Sequence, residues 1–151
     1  MKISTTIDIY REPEEVFSWI NEPDKAMRWQ KGVKSGEIIK EIPEKIGTTF
    51  KEVMEENGKS LIMYGEITNY IPNELISFQL ESKIHKVHVN YSVKGEIEKS
   101  TVLIESTIDW KFPMNIICLI IGLKIKAKIL DQTKSELSEL KRLCETKMNE
   151  M

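Results

Sequence analysis

Cysteine is scarce in this chain: 151 residues contain only Cys118 and Cys144. Two are too few for a disulfide framework or a cysteine zinc site. On one helix they would stand roughly 39 Å apart at 1.5 Å per residue, beyond bridging range. Both are read as buried, apolar-like residues of a reducing compartment. Histidine is equally rare. His85 and His88 are the only two, and three residues apart on a strand they point to opposite faces and cannot share a metal. No His-Glu helix motif, phosphate-cradling glycine loop or nucleophile elbow occurs. Neither metal nor cofactor is therefore expected. Charge of one sign is also lacking: 22 Lys and Arg balance 24 Asp and Glu, for a net charge of −2. That excludes the concentrated basic face of a nucleic-acid binder. Long apolar runs are missing too. The N-terminus alternates instead of presenting a signal-peptide run, and the most apolar window, Met114 to Leu123, is about half a membrane span. The expectation is a cytoplasmic chain, without stable membrane insertion, folding as one domain over 1–151.

What is present is punctuated alternation. From Lys2 to Tyr10, Ile3, Thr5, Ile7 and Ile9 share one face, the pattern of a half-buried strand. Arg11-Glu12-Pro13-Glu14-Glu15 opens a helix, with proline suited to its first turn and glutamates to the positive end of its dipole. Val16, Phe17, Trp19 and Ile20 form its apolar side. Asn21-Glu22-Pro23-Asp24 breaks it and starts a second short helix, Asp24 to Trp29. Strands are predicted over Val33–Ile42, Thr48–Glu55, Ser60–Tyr70, Leu75–Glu81, His85–Glu96 and Thr101–Trp110. Asn57-Gly58 is a two-residue hairpin turn that needs positive φ. Connections this short build a meander rather than parallel units. The rest, Met114 to about Lys147, reads as one long helix. The fold class is α+β: a curved seven-stranded antiparallel sheet wrapped around that helix, with two short helices between the first and second strands.

Several stretches carry a family resemblance. Ile7-Asp8-Ile9-Tyr10-Arg11-Glu12-Pro13-Glu14-Glu15-Val16-Phe17, Met27-Arg28-Trp29 before Val33, Gly47-Thr48-Thr49-Phe50, and Glu66 through Pro72 to Phe78 resemble the START-related, birch-pollen-allergen-like superfamily (SRPBCC). That superfamily includes polyketide cyclase/dehydrase-like and coenzyme-Q-binding proteins. The resemblance spans the whole chain, but its motifs are structural and its members functionally diverse. It implies a helix-grip fold with a cavity between sheet and helix, and hence binding or transport of a lipid, polyketide-like, isoprenoid or aromatic ligand. One alternative is a cyclase/dehydrase-type enzyme; another is an interaction module like the chaperone-activator branch, whose motifs are not evident here. The balance leans away from an enzyme.

The apolar residues that would line such a pocket are Trp29, Phe50, Met54, Met63, Ile67, Phe78, Tyr91, Ile108 and Trp110, facing Ile117 and Ile121 of the helix. Tyr91 and Ser106 are polar positions on otherwise apolar faces, where a satisfied core group is the plainer reading. Glu52 is the one candidate acid or base. If Phe50 and Met54 face inward, period-two alternation brings Glu52 inward and raises its pKa; a locally reversed register, the preferred expectation, leaves it in water.

The long helix has two unlike halves. After Leu130, Leu137, Leu140 and Cys144 pack on one face, with Lys134, Glu136, Glu139 and Arg142 expected in solvent. Before it, one stripe runs Ile116, Leu119, Leu123, Ala127 and another Ile117, Ile121, Ile125, Ile129. The plainer expectation is that sheet and short helices cover both. The alternative is exposure at a pocket mouth, a homodimer contact or a transient membrane contact through Ile116–Ile129, which Lys124, Lys126 and Lys128 would favour. Gly122 is the expected bend.

Overall fold

The structure, a computed structural model, describes residues 1–56 and 58–146. The elements are β1 (Lys2–Ile9), α1 (Pro13–Asn21), α2 (Pro23–Ala26), β2 (Val33–Lys40), β3 (Thr49–Glu56), β4 (Lys59–Ile71), β5 (Leu75–Glu81), β6 (His85–Glu96), β7 (Lys99–Trp110) and α3 (Met114–Thr146). The predicted end of α3 at Lys147 and the turn residue Asn57 lie outside the described residues. All seven strands form one antiparallel sheet in the order β1-β7-β6-β5-β4-β3-β2. Strands β2 to β7 are thus a sequential meander, and β1 joins beside β7.

The turns follow from their residues. Gly58 takes φ +76° between β3 and β4, and Asn73 takes φ +63° after Pro72 between β4 and β5. Both positions need the left-handed region, where glycine and asparagine cost least. The second helix is shorter than predicted. It stops at Ala26, because the chain tightens into i→i+3 bonds, Arg28 N–H to Lys25 O at 3.1 Å and Trp29 N–H to Ala26 O at 3.4 Å. That turn carries the Trp29 ring into the core, where its Nε1–H donates to Trp19 O at 2.8 Å.

The core lies toward the β1–β7–β6 end. Ile3 and Ile9 of β1, Val93 of β6, and Val102 and Ile104 of β7 pack against Val16, Phe17, Trp19 and Ile20 of α1 and Leu137, Leu140, Leu143 and Cys144 of α3. Only the second half of α3 therefore has buried residues. Its C-terminal turns are also tied to β1 by polar contacts. Lys141 Nζ donates to Asp8 O at 2.8 Å, the Tyr10 N–H donates to Glu145 Oε2 at 3.0 Å, and the Arg11 guanidinium donates to Glu145 O.

The first half is different. Helical geometry breaks at Ile121 (φ −119°, ψ 18°), one residue before the expected bend at Gly122. The expectation that neighbouring elements cover both apolar stripes is corrected: Ile116, Leu119, Ile120 and Leu123 are all exposed. The reason is reach. The helix packs mainly on β1, all its buried residues lie in its second half, and the four-residue α2 has no buried residue to extend that cover. Among the described residues no helix is long and apolar enough to cross a membrane.

Candidate functional site

The inner face of the sheet is set by alternation and register. On β3 it carries Phe50, Glu52 and Met54, which stand opposite Gly65, Met63 and Leu61 of β4. Ile67 of β4 faces Phe78 of β5, which in turn faces Val89 of β6. Ser106, Ile108 and Trp110 of β7 face Val89, Val87 and His85 of β6. The ten sheet residues singled out in the sequence thus share one surface. Trp29 joins them from the α2–β2 connection. Ile117 and Ile121 of α3 are half-exposed, at 39% and 41%, so no neighbouring element fully covers them.

Four of these rings form a continuous line. Phe50 meets Phe78 edge-to-face at 5.6 Å, Phe78 meets Tyr91 at 6.0 Å, and Tyr91 meets Trp29 at 6.1 Å. Such contacts fix ring orientation as well as bury area. The Phe50 ring can lie flat on the sheet only because residue 65 is glycine: a Cβ there would come 2.3 Å from Phe50 Cζ.

A polar cluster adjoins this line. The expectation that Glu52 is solvated is corrected. The Phe50–Met54 alternation continues unbroken through it, and burial raises its pKa above the ordinary carboxylate range. Across from it, Gly36 of β2 presents no side chain. Glu136 of α3, also expected in solvent, is only partly exposed. Its Oε2 accepts the Lys31 N–H at 2.6 Å. Burial raises its pKa to about 7, against the pull of the Lys31 N–H and charge and with a push from the Glu52 charge. Tyr91 completes the group. Burial first, then the Glu136 and Glu52 charges, raise its pKa, outweighing a side-chain hydrogen bond with Gln30. Its hydroxyl therefore stays protonated at any physiological pH.

Sequence reasoning missed Glu136 and Gln30. A signal for Glu136 existed, since it lies seven residues after Ile129 and four before Leu140, on one helical row. Gln30 had none. Elsewhere on this face, the Trp110 Nε1–H is buried and has no hydrogen-bond partner among the described residues. His85 Nδ1 pairs with Ser82 Oγ at 2.7 Å in the β5–β6 turn, and burial lowers its pKa. His88 lies on the other face, exposed. Cys144 is buried and Cys118 partly so. Two surface depressions, of about 610 and 700 Å³, lie at the opposite end of the sheet, around Arg11 and Lys99 and around Pro72 and Lys94. Neither is lined by any of the inner-face residues above.

No family model and no curated protein matches the chain. Solved structures do. A START superfamily protein from Mycobacterium smegmatis superposes with TM-score 0.80 at 14% identity, over 96% of this chain and 97% of that one. The Zhui aromatase/cyclase from Streptomyces sp. R1128 gives 0.78 at 10% identity, over 98% and 95%. Ara h 8.0201 gives 0.65 at 14% identity, over 93% and 97%. This chain has the START-related helix-grip fold. In this helix grip the inner surface of the sheet carries Phe50, Glu52, Phe78 and Tyr91, with Trp29 joining from the α2–β2 connection and Glu136 from α3.

Proposed function

We propose that this helix-grip protein binds a small amphipathic molecule between the inner face of the sheet and the first half of α3. The observation that carries this reading is the line Phe50–Phe78–Tyr91–Trp29 adjoining a partly buried group of Glu52, Glu136 and Tyr91. Apolar walls with a few converging polar groups are the composition of a ligand site. The body of the ligand rests on Phe50, Met54, Met63, Ile67, Phe78 and Ile108, bordered by Ile117 and Ile121. Its polar head offers hydrogens to Glu52 and Glu136 and accepts from Tyr91, with Ser106 and the Trp110 N–H as further partners. The likeness to an aromatase/cyclase supports an aromatic or polyketide-like body; lipid and isoprenoid bodies suit the same wall.

Native mass spectrometry of gently purified protein, paired with lipophilic-dye titration, tests this. A co-purifying small molecule, or saturable dye binding weakened by Phe78→Ala, is the expected outcome. An empty protein that binds no such dye sinks it.

One observation favours a second reading. With a pKa of about 7, Glu136 can both give and take a proton near neutral pH, as acid–base catalysis requires. Under this reading the cleft folds a polyketide-like chain, and Glu52→Gln or Glu136→Gln abolishes turnover while leaving binding intact. Unchanged turnover in both variants removes it.

A further inference from the structure

The exposed side of α3 has a composition unlike the rest of the surface. Leu119, Ile120 and Leu123 are 86%, 81% and 86% exposed, and Ile116 49%. Ile116, Leu119 and Ile120, at i, i+3 and i+4, share one side of the turns before the break at Ile121, and Leu123 is exposed just after it. Phe112, also exposed, precedes the first turn. Single exposed apolar residues need no explanation; a contiguous helical face of them does. The charge around it is equally one-sided. From 111 to 130 there are four lysines and no aspartate or glutamate, in a chain whose net charge is −2. Lys111 is paired with Glu81. Lys124 and Lys126 are exposed and fall on opposite sides of Leu123 at 100° per residue.

We propose that this face of α3 docks on an anionic lipid bilayer, lying in the headgroup plane with Leu119, Ile120 and Leu123 inserted and Lys124 and Lys126 at the phosphate level. An apolar helical stripe rimmed by lysine is the pattern of an interfacial helix, whose long basic side chains keep their stems in apolar surroundings and their charges in water. The helix is too short in apolar length to cross, which leaves lying on the surface. A second copy of the chain is the poorer occupant. A two-fold contact through this face would bring the Lys124 and Lys126 of both copies together, with no acid in 111–130 to offset them. Anionic headgroups satisfy the lysines and the acyl boundary satisfies the leucines. This inference rests on residues outside the polar cluster and stands whether or not the cleft holds a ligand.

Flotation with vesicles of phosphatidylcholine alone, and of phosphatidylcholine with a minor fraction of phosphatidylserine, tests it. Binding is expected on the anionic vesicles only, and it should weaken as salt is raised. Leu119→Ser with Leu123→Ser should lower it by at least about tenfold. Lys124→Gln with Lys126→Gln should lower it by roughly tenfold or more, at about fivefold per lysine. Both double variants should melt like the wild type, since the four side chains lie in solvent. Absence of wild-type flotation on anionic vesicles overturns the proposal. So does flotation indifferent to the leucine change, which would place the contact elsewhere. A dimer in analytical ultracentrifugation that the leucine change dissociates would assign the face to a second copy and overturn it as well.

Discussion

Glu136 shows how far one side chain can depart from its expected environment. Its position among Lys134, Glu139 and Arg142 suggests a solvated helix face, yet it accepts a hydrogen bond from a backbone N–H 105 residues away. No local pattern encodes that partner, so the partial burial was not legible; the seven-residue spacing from Ile129 was the only trace. Glu52 was legible in register and misjudged in energy, because an inward carboxylate normally costs more than a local register change. Here Glu136 and Tyr91 share its partial burial. The pH dependence follows. The folded pKa of Glu136, about 7, lies above its ordinary 4.5. Folding therefore favours its protonated form, and this contribution is complete below about pH 4.5 and lost as pH rises through 7. Relative to Glu136→Gln, which keeps an acceptor for Lys31, the wild type should lose up to about 3 kcal/mol between those limits in urea unfolding. Comparison with the variant matters, because Asp8, held down by its bond to Thr101, and Glu81, held down by Lys111, tilt the absolute curve the other way at low pH. A pH-independent difference would place Glu136 in water.

At the level of elements, α3 divides at Ile121, and the two parts obey different rules. Its second half is legible as an ordinary packed helix: Leu137, Leu140 and Cys144 are buried as their spacing predicts. Its first half reads as buried on several sides and is not, because a helix apolar around its circumference signals only that something apolar should cover it. Which surface does so depends on the reach of other elements. The contrast is measurable. Leu140→Ala, at a fully buried site, should cost about 2–5 kcal/mol, and Leu119→Ala, at an 86% exposed one, less than about 0.5 kcal/mol. Chemical denaturation of the two variants decides it. A large loss at Leu119 would mean that a protein surface covers this stripe in solution.

For the whole molecule, strand order was the most legible feature. Period-two alternation with Gly, Pro and Asn punctuation marks a meander wherever one face is buried, and strand β5 (Leu75–Glu81) and strand β6 (His85–Glu96) have their predicted bounds. The inner face was legible as a set of inward residues, but the exposure of the first half of α3 was not, since it depends on which elements reach that far.

The placing of β1 has a kinetic consequence. Strands β2 to β7 can pair hairpin by hairpin, each closing a short loop. β1 must wait for β7, and the Met1 ammonium group reaches Ile108 O across 107 residues. Closing so long a loop carries an entropic cost that neighbouring hairpins avoid. Since α3 packs mainly on β1, the two ends of the chain should dock together, after the meander has formed. In stopped-flow experiments Ile9→Val should then speed unfolding and leave refolding almost unchanged, while Val89→Ala, in the meander, slows refolding. Slower refolding of the Ile9 variant would move β1 into the nucleus. On this order of events, the inner face of the sheet exists before the long helix arrives.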